Sequence, residues 1–122
     1  MKLIIPRQLP GANTYIDACR RNKHLANRLK HEAESAVIWA AKSQLRGVRF
    51  DGPVVMHYTW VEPNRRRDKD NIAFARKFVQ DALVGAGVLE NDGWAQIKGF
   101  SDDFAVDRKR PRVEVEIEKV EA

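Results

Sequence analysis

The sequence predicts a small α+β domain with a mixed or antiparallel sheet of about four strands and two main helices. Segments rich in β-branched and aromatic residues are interleaved with two stretches of helical periodicity, and the last strands follow one another through short connections. The chain has 122 residues, of which 43% are hydrophobic and 32% charged, a composition sufficient for one hydrophobic core. We therefore expect residues 1–122 to form one domain.

The first half of the chain predicts a strand, a turn and a long helix. Residues 2–6 are a short apolar run that ends at a proline, and residues 9–13 are rich in turn formers. From about residue 17 to residue 45 there is neither glycine nor proline. Apolar residues recur there at three- and four-residue steps, which predicts the first main helix, ending near Gly47.

The second half predicts three more strands around a second helix. The expected strands are residues 53–61, 94–100 and 112–120, the last with one solvent-facing side because its residues alternate. The second helix should run from about residue 69 to residue 84 and end at Gly85-Ala86-Gly87. Its apolar side should face the core and comprises Ile72, Ala75, Val79, Ala82 and Leu83.

Charge is distributed unevenly along the chain. Residues 1–49 carry ten Lys and Arg against three Asp and Glu, whereas residues 50–122 carry twelve against fourteen. A basic half beside an acidic half suggests a surface for a polyanion next to a site for cations. The candidate DNA-binding residues are Arg20, Arg21, Lys23, Arg65, Arg66 and Arg67. The alternative is a solvated helix face and a charged loop without a partner.

Cysteine content and hydropathy indicate the cellular setting. Cys19 is the single cysteine, so an internal disulfide is excluded. The apolar run at the N-terminus is too short for a signal peptide, and no stretch is long enough to span a bilayer. We expect a soluble, cytoplasmic protein without a membrane partner.

Three carboxylates suggest metal-dependent chemistry. Asp68 and Asp70 lie at the start of the second predicted helix, and Asp92 lies in the turn that follows it. Magnesium commonly binds one or two carboxylates together with water and phosphate. On a continuous helix, Lys77 and Asp81 would lie within about 20° of Asp70, and their four-residue spacing predicts an ion pair between them. The alternative is that the first two aspartates cap the helix and that Asn91-Asp92-Gly93 is only a turn.

The order of these residues resembles the signature of the RusA-type Holliday junction resolvases. The motif covers about a quarter of the chain and consists of Asp68-Lys69-Asp70-Asn71, Lys77, Asp81-Ala82-Leu83, Gly87 and Asn91-Asp92. The turn Pro10-Gly11-Ala12-Asn13 also resembles the N-terminal turn of the family. It implies that Asp68, Asp70 and Asp92 bind the metal and that Lys77 is the catalytic lysine. Asp81 matches a recurrent position of less certain role.

The resemblance also implies the activity. Members of this family are dimeric, often prophage-borne endodeoxyribonucleases that cut four-way DNA junctions by paired symmetric nicks in recombination and repair. The expected cofactor is Mg²⁺, with Mn²⁺ as a substitute, and no organic cofactor is expected. Two alternatives stay open: a different nuclease core of the PD-(D/E)XK type built on Glu114 and Glu116, and a non-catalytic junction-binding module.

The three tryptophans are the remaining candidates for a functional role. Trp60 and Trp94 flank the carboxylate segment in sequence, where they could stack on bases exposed at a junction. We instead expect both to pack in the core, as aromatic residues near strand ends usually do. Trp39 should lie in the core or at a dimer interface.

Overall fold

The protein is a four-stranded mixed sheet with helices packed on one face. A computed structural model describes residues 1–120. Its elements in chain order are β1 (Lys2–Ile5), α1 (Ala12–Arg21), α2 (Lys23–Gln44), β2 (Val54–Glu62), α3 (Lys69–Ala73), α4 (Arg76–Gly85), β3 (Ile97–Val106) and β4 (Arg112–Lys119). The predicted α+β class is therefore confirmed, with four helical segments in place of two main helices.

The order of the strands across the sheet is β1-β4-β2-β3. β4 is antiparallel to both β1 and β2, and β3 runs parallel to β2 at the edge. A parallel pair requires a crossover, which α3 and α4 provide between β2 and β3. The loop that leads into α3 therefore begins where β2 ends, at Glu62.

The core lies between one face of the sheet and the helices. Val54, Met56, Tyr58 and Trp60 alternate along β2 and are all nearly inaccessible to solvent. They belong to one cluster of buried side chains with helical residues such as Phe78. This period-two burial is what the β-branched and aromatic sequence of β2 predicts.

The opposite face of the sheet is polar, as the alternation in β4 predicts. Lys2 forms an ion pair with Glu114 at 2.9 Å, and Arg112 donates to the same carboxylate at 2.7 Å. The hydrogen bonds from Lys2 and Arg112 hold the pKa of Glu114 below its usual value. Glu116 pairs with the N-terminal amine at 3.1 Å. Cationic partners on a solvent-facing strand therefore account for these glutamates without a nuclease core.

The first predicted helix was wrong in its extent, because the chain forms two helices here. α1 begins at Ala12, earlier than expected, and Asn22 separates it from α2 in an extended conformation with φ of −158°. The Asn22 side chain accepts hydrogen bonds from the backbone N–H groups of His24 at 2.9 Å and Leu25 at 3.4 Å. An asparagine that satisfies free N–H groups stabilises a new helix start at this point.

The second predicted helix is also interrupted. The N–H of Ala75 donates to the Ile72 carbonyl, and that of Lys77 to the Phe74 carbonyl, which are three-residue steps that tighten the backbone between α3 and α4. Neither glycine nor proline marks this break in the sequence. The predicted apolar side remains correct, since Ile72, Ala75, Val79, Ala82 and Leu83 are all buried.

The tryptophans occupy three different environments. Trp60 is buried as predicted, with 1% of its surface exposed. The expectation of core packing is wrong for Trp94, which is 96% exposed because β3 begins at Ile97 and not at residue 94. Trp39 is 75% exposed on α2, so it is not a core residue either. None of the helices in residues 1–120 is long and apolar enough to cross a membrane.

We expect Asn22→Ala to lower the free energy of unfolding by about 1 kcal/mol, because two N–H groups at the start of α2 lose their acceptor. Chemical denaturation measures this change. Asn22→Asp keeps an acceptor oxygen at the same position and should stay close to the wild-type protein. Equal stability of the alanine variant and the wild type would show that the cap does not stabilise α2.

Candidate active site

The loop between β2 and α3 is held by a buried ion pair. Glu62, the last residue of β2, is 6% exposed and accepts hydrogen bonds from Arg67 Nε at 2.9 Å and Nη2 at 2.8 Å. Gln8 donates to the same carboxylate at 3.1 Å, and Arg67 Nη1 donates to the Leu9 carbonyl at 3.1 Å. This bidentate pair fixes the loop against the segment that follows β1.

The N-terminal turn contacts the start of α3. The backbone N–H of Asn13 donates to Asn71 Oδ1 at 2.8 Å. A Cβ atom added to Gly11 would lie 2.6 Å from that same oxygen and 3.1 Å from Arg67 Nη1. A larger residue at this position would displace the Asn71 side chain from its hydrogen bond with Asn13. The turn and the motif that carried the family resemblance are therefore in direct contact.

Asp68 and Asp70 are exposed carboxylates without an ion pair in residues 1–120. Asp68 occupies the N-cap position of α3, yet its side chain makes no capping hydrogen bond. Asp70 Oδ1 accepts only the N–H of Asn71, at 2.8 Å. Helix capping therefore does not account for Asp68.

Both carboxylates line a cavity of about 740 Å³ beside the β2–α3 loop. Its basic lining residues are Arg65, Arg67 and Lys69. Lys69 Nζ lies 5.5 Å from the centre of the Phe104 ring, which forms part of the opposite wall. The cavity thus combines two free carboxylates with two cationic side chains, Arg65 and Lys69, and with the Glu62–Arg67 ion pair.

A second ionisable cluster lies on α4 and the turn after it. Lys77 Nζ is 3.1 Å from Asp81 Oδ1, which confirms the predicted pair, and 4.0 Å from Asp92 Oδ2. The hydrogen bond from Lys77 to Asp81 raises the pKa of Lys77 above its usual value. Lys77 is therefore a cation at neutral pH, suited to stabilising negative charge but not to accepting a proton.

The structure does not bring all the predicted site residues into one cluster. Lys77 pairs with Asp81 and approaches Asp92, and no ion pair links it to Asp70 in the described chain. The helix between Asp70 and Lys77 is not continuous, because three-residue hydrogen-bond steps join α3 to α4. The common edge expected for Asp70, Lys77 and Asp81 stays a prediction. Within residues 1–120, no group of three or more His, Cys, Asp or Glu side chains is arranged to hold a metal ion.

Sequence reasoning missed a second ion pair that supports this region. Arg76 donates to Asp102 on β3, and Trp60 Nε1 donates to the other carboxylate oxygen at 2.8 Å. The Arg76 guanidinium also lies 4.4 Å from the centre of the Phe100 ring. Asp102 gave no signal, because the predicted strand ended at residue 100.

The predicted DNA-binding residues divide into two groups. Arg20, Arg21 and Lys23 are exposed around the junction of α1 and α2, where Arg21 pairs with Asp17 at 3.2 Å. Arg65 and Arg66 are exposed in the β2–α3 loop. Arg67 differs from Arg65 and Arg66, since only 26% of its side chain is exposed and its guanidinium forms an ion pair with Glu62.

The family model described as Endodeoxyribonuclease RusA matches residues 10–118. The chain belongs to the RusA endodeoxyribonuclease family. These hydrolases resolve Holliday junctions in DNA recombination and repair, and the substrate is therefore a DNA junction. A search of curated proteins found no match. The match to the family model extends from the N-terminal turn to β4 and includes both ionisable clusters.

We expect Glu62→Gln to lower the free energy of unfolding by about 2–3 kcal/mol, because it leaves the half-buried Arg67 guanidinium without a charged partner. Chemical denaturation measures the loss. Glu118→Gln, on an exposed part of β4, is the matched control and should have little effect. A wild-type stability for Glu62→Gln would contradict the role of the ion pair.

Proposed function

We propose that the cavity beside α3 is the site where this RusA-family enzyme hydrolyses one phosphodiester of a four-way junction with Mg²⁺. The observation that carries this proposal is the pair of free carboxylates, Asp68 and Asp70, among basic cavity residues. The other acidic residues near them are already neutralised, Glu62 by Arg67 and Asp102 by Arg76. A cation can therefore compete for Asp68 and Asp70 without breaking an ion pair.

These two side chains fit the ligand preference of Mg²⁺, which often takes one or two carboxylates and completes its octahedron with water and phosphate oxygens. Mn²⁺ accepts the same oxygen ligands and is proposed as a substitute. Bound there, the ion would lower the pKa of a coordinated water and offset charge on the scissile phosphate. We propose Asp92 as a further carboxylate of this site.

The cationic residues receive separate roles. Lys77, held protonated by Asp81, is proposed to stabilise negative charge on the phosphate or on the leaving oxygen. Arg65 and Arg66 are free to contact flanking phosphates. Arg67 is proposed to act as a positioning residue, because its guanidinium holds the loop that carries Asp68.

We further propose that the enzyme is a homodimer. A four-way junction has approximate two-fold symmetry, so two identical sites related by a two-fold axis suit paired, symmetric nicks. The exposed basic residues Arg20, Arg21 and Lys23 are proposed to bind the DNA arms.

We expect Asp70→Asn to abolish cleavage of a labelled four-way junction in Mg²⁺ while junction binding survives, since removing one metal ligand leaves the phosphate contacts in place. Asp51→Asn changes a carboxylate that is 88% exposed before β2 and should cut normally. Denaturing gel electrophoresis records the cuts, and circular dichroism verifies the fold of each variant.

Wild-type cutting in EDTA, or an active Asp70→Asn variant, would contradict the proposed metal site. Binding without cutting by the wild-type protein in both Mg²⁺ and Mn²⁺ would instead favour a junction-binding module. Nicks on one strand only, with a monomeric mass in sedimentation, would contradict the dimer.

We expect the triple variant of Arg20, Arg21 and Lys23 to alanine to bind junctions less tightly and with a weaker dependence on salt. Each lost phosphate contact should reduce the slope of log K against log salt by about 0.9. The matched control replaces Lys42, Arg46 and Arg49, which are exposed near the other end of α2. An equal change in both triple variants, measured by fluorescence anisotropy, would indicate a general charge effect.

A further inference from the structure

We propose that Trp94 stacks on a base that is unstacked at the branch point of a junction, and thereby positions the strand that is cut. Trp94 is 96% exposed, the highest value among the exposed large hydrophobic residues of the described chain. A tryptophan presents a large aromatic face on which a nucleic-acid base can stack. This inference rests on the roles proposed above for Lys77 and Asp92 in cleavage.

The position of Trp94 links it to the reacting strand. It follows Asp92 by two residues, and the Asp92 carboxylate lies 4.0 Å from Lys77 Nζ. A base bound at Trp94 would therefore belong to the same stretch of DNA whose phosphates reach the lysine cluster. A base and its own phosphate are close enough for one residue to contact each.

The turn that carries Trp94 is internally bonded. The Gly93 carbonyl accepts the N–H groups of Gln96 at 3.2 Å and Ile97 at 3.0 Å, and the Asn91 side chain accepts the N–H of Asp92 at 2.8 Å. These bonds fix the backbone on both sides of Trp94, so the indole is presented from a defined turn at the entry to β3. A defined platform reduces the loss of conformational entropy when a base stacks on it.

The surroundings favour a base over a second protein chain. The sequence neighbours Asn91, Gly93 and Ala95 are exposed and either polar or small, so the turn itself adds no second large apolar side chain beside Trp94. A stable protein interface buries about 800 Å² on each partner, with an apolar centre larger than one side chain. A single aromatic ring on the turn that carries Asp92, whose carboxylate lies 4.0 Å from Lys77 Nζ, matches the combination of stacking and phosphate contact found in nucleic-acid binding.

Stacking on Trp94 should favour branched DNA. The bases of a linear duplex are stacked on both faces, so contact requires one of them to leave the helix at a free-energy cost. Strands that exchange partners at a junction can expose a base face with less disruption. Trp94 is therefore expected to contribute to discrimination between junction and duplex more than to overall affinity.

The test compares Trp94→Ala with the wild type in EDTA, where binding is measured by fluorescence anisotropy without cleavage. We expect about ten-fold weaker binding to a four-way junction, and less than two-fold weaker binding to a linear duplex of the same sequence. Trp94→Phe, which retains an aromatic face, should lie between the alanine variant and the wild type. Trp39→Ala is the matched control, because Trp39 is 75% exposed on α2.

Tryptophan fluorescence gives an independent readout. In a Trp39→Phe background, Trp94 is the one strongly exposed tryptophan, since Trp60 is 1% exposed. Addition of junction DNA should quench this emission and reduce its further quenching by acrylamide. Linear duplex should have a much smaller effect on both. A change in fold alone would not produce this difference between two DNA shapes.

The proposal would be overturned if Trp94→Ala bound the junction as tightly as the wild-type protein does. It would also be overturned if junction DNA left the fluorescence of Trp94 unchanged. If Trp94→Ala sedimented as a monomer but still preferred junctions to duplex, the proposal would also be overturned. Trp94 would then belong to a protein interface. The binding assay needs no metal, so a negative result for Trp94 would not affect the conclusion drawn from Asp70→Asn. Failure of the proposed metal site would likewise leave the binding comparison valid.

Discussion

The bidentate ion pair between Glu62 and Arg67 is the constraint on which the proposed site depends. Burial of these charges would be costly if they were not paired, and here hydrogen bonds with Gln8 and the Leu9 carbonyl satisfy the remaining groups. The pair joins the end of β2 to the loop before α3 and holds both against the N-terminal turn. With the loop fixed in this way, the carboxylates of Asp68 and Asp70 remain free at its end.

The acidic residues of this region differ in whether a cation neutralises them. Glu62 pairs with Arg67 and joins β2 to the loop that follows it, and Asp102 pairs with Arg76 and joins β3 to α4. Asp81 pairs with Lys77 within α4. Asp68 and Asp70 have no such partner in residues 1–120 and line a cavity together with Arg65, Lys69 and the Glu62–Arg67 ion pair. Carboxylates without a protein partner can bind a cation, and through it a phosphate, without first losing an ion pair. Ion pairing therefore distinguishes Asp68 and Asp70 from Glu62 and Asp102, which sequence spacing alone does not do.

The candidate site could be found from the sequence only in part. Residue order and the family resemblance identified Asp68, Asp70, Lys77 and Asp92, and the spacing of Lys77 and Asp81 predicted their ion pair. The continuous helix used to relate Asp70 to Lys77 is wrong, because the helix breaks between α3 and α4 where the sequence contains neither glycine nor proline. Arg76 and Asp102 escaped notice because they meet only when β3 lies beside β2 and α4 packs over both.

The sequence by itself determined which segments form strands, which side of each helix is apolar, and to which family the motif points, because periodicity and short-range order are local properties. The tertiary structure decided where the helices break, which arginine is structural, and which tryptophan is exposed. Arg65, Arg66 and Arg67 are chemically identical, yet only Arg67 meets the buried Glu62. Trp60 and Trp94 differ for the same reason: long-range packing covers one indole and leaves the other in solvent.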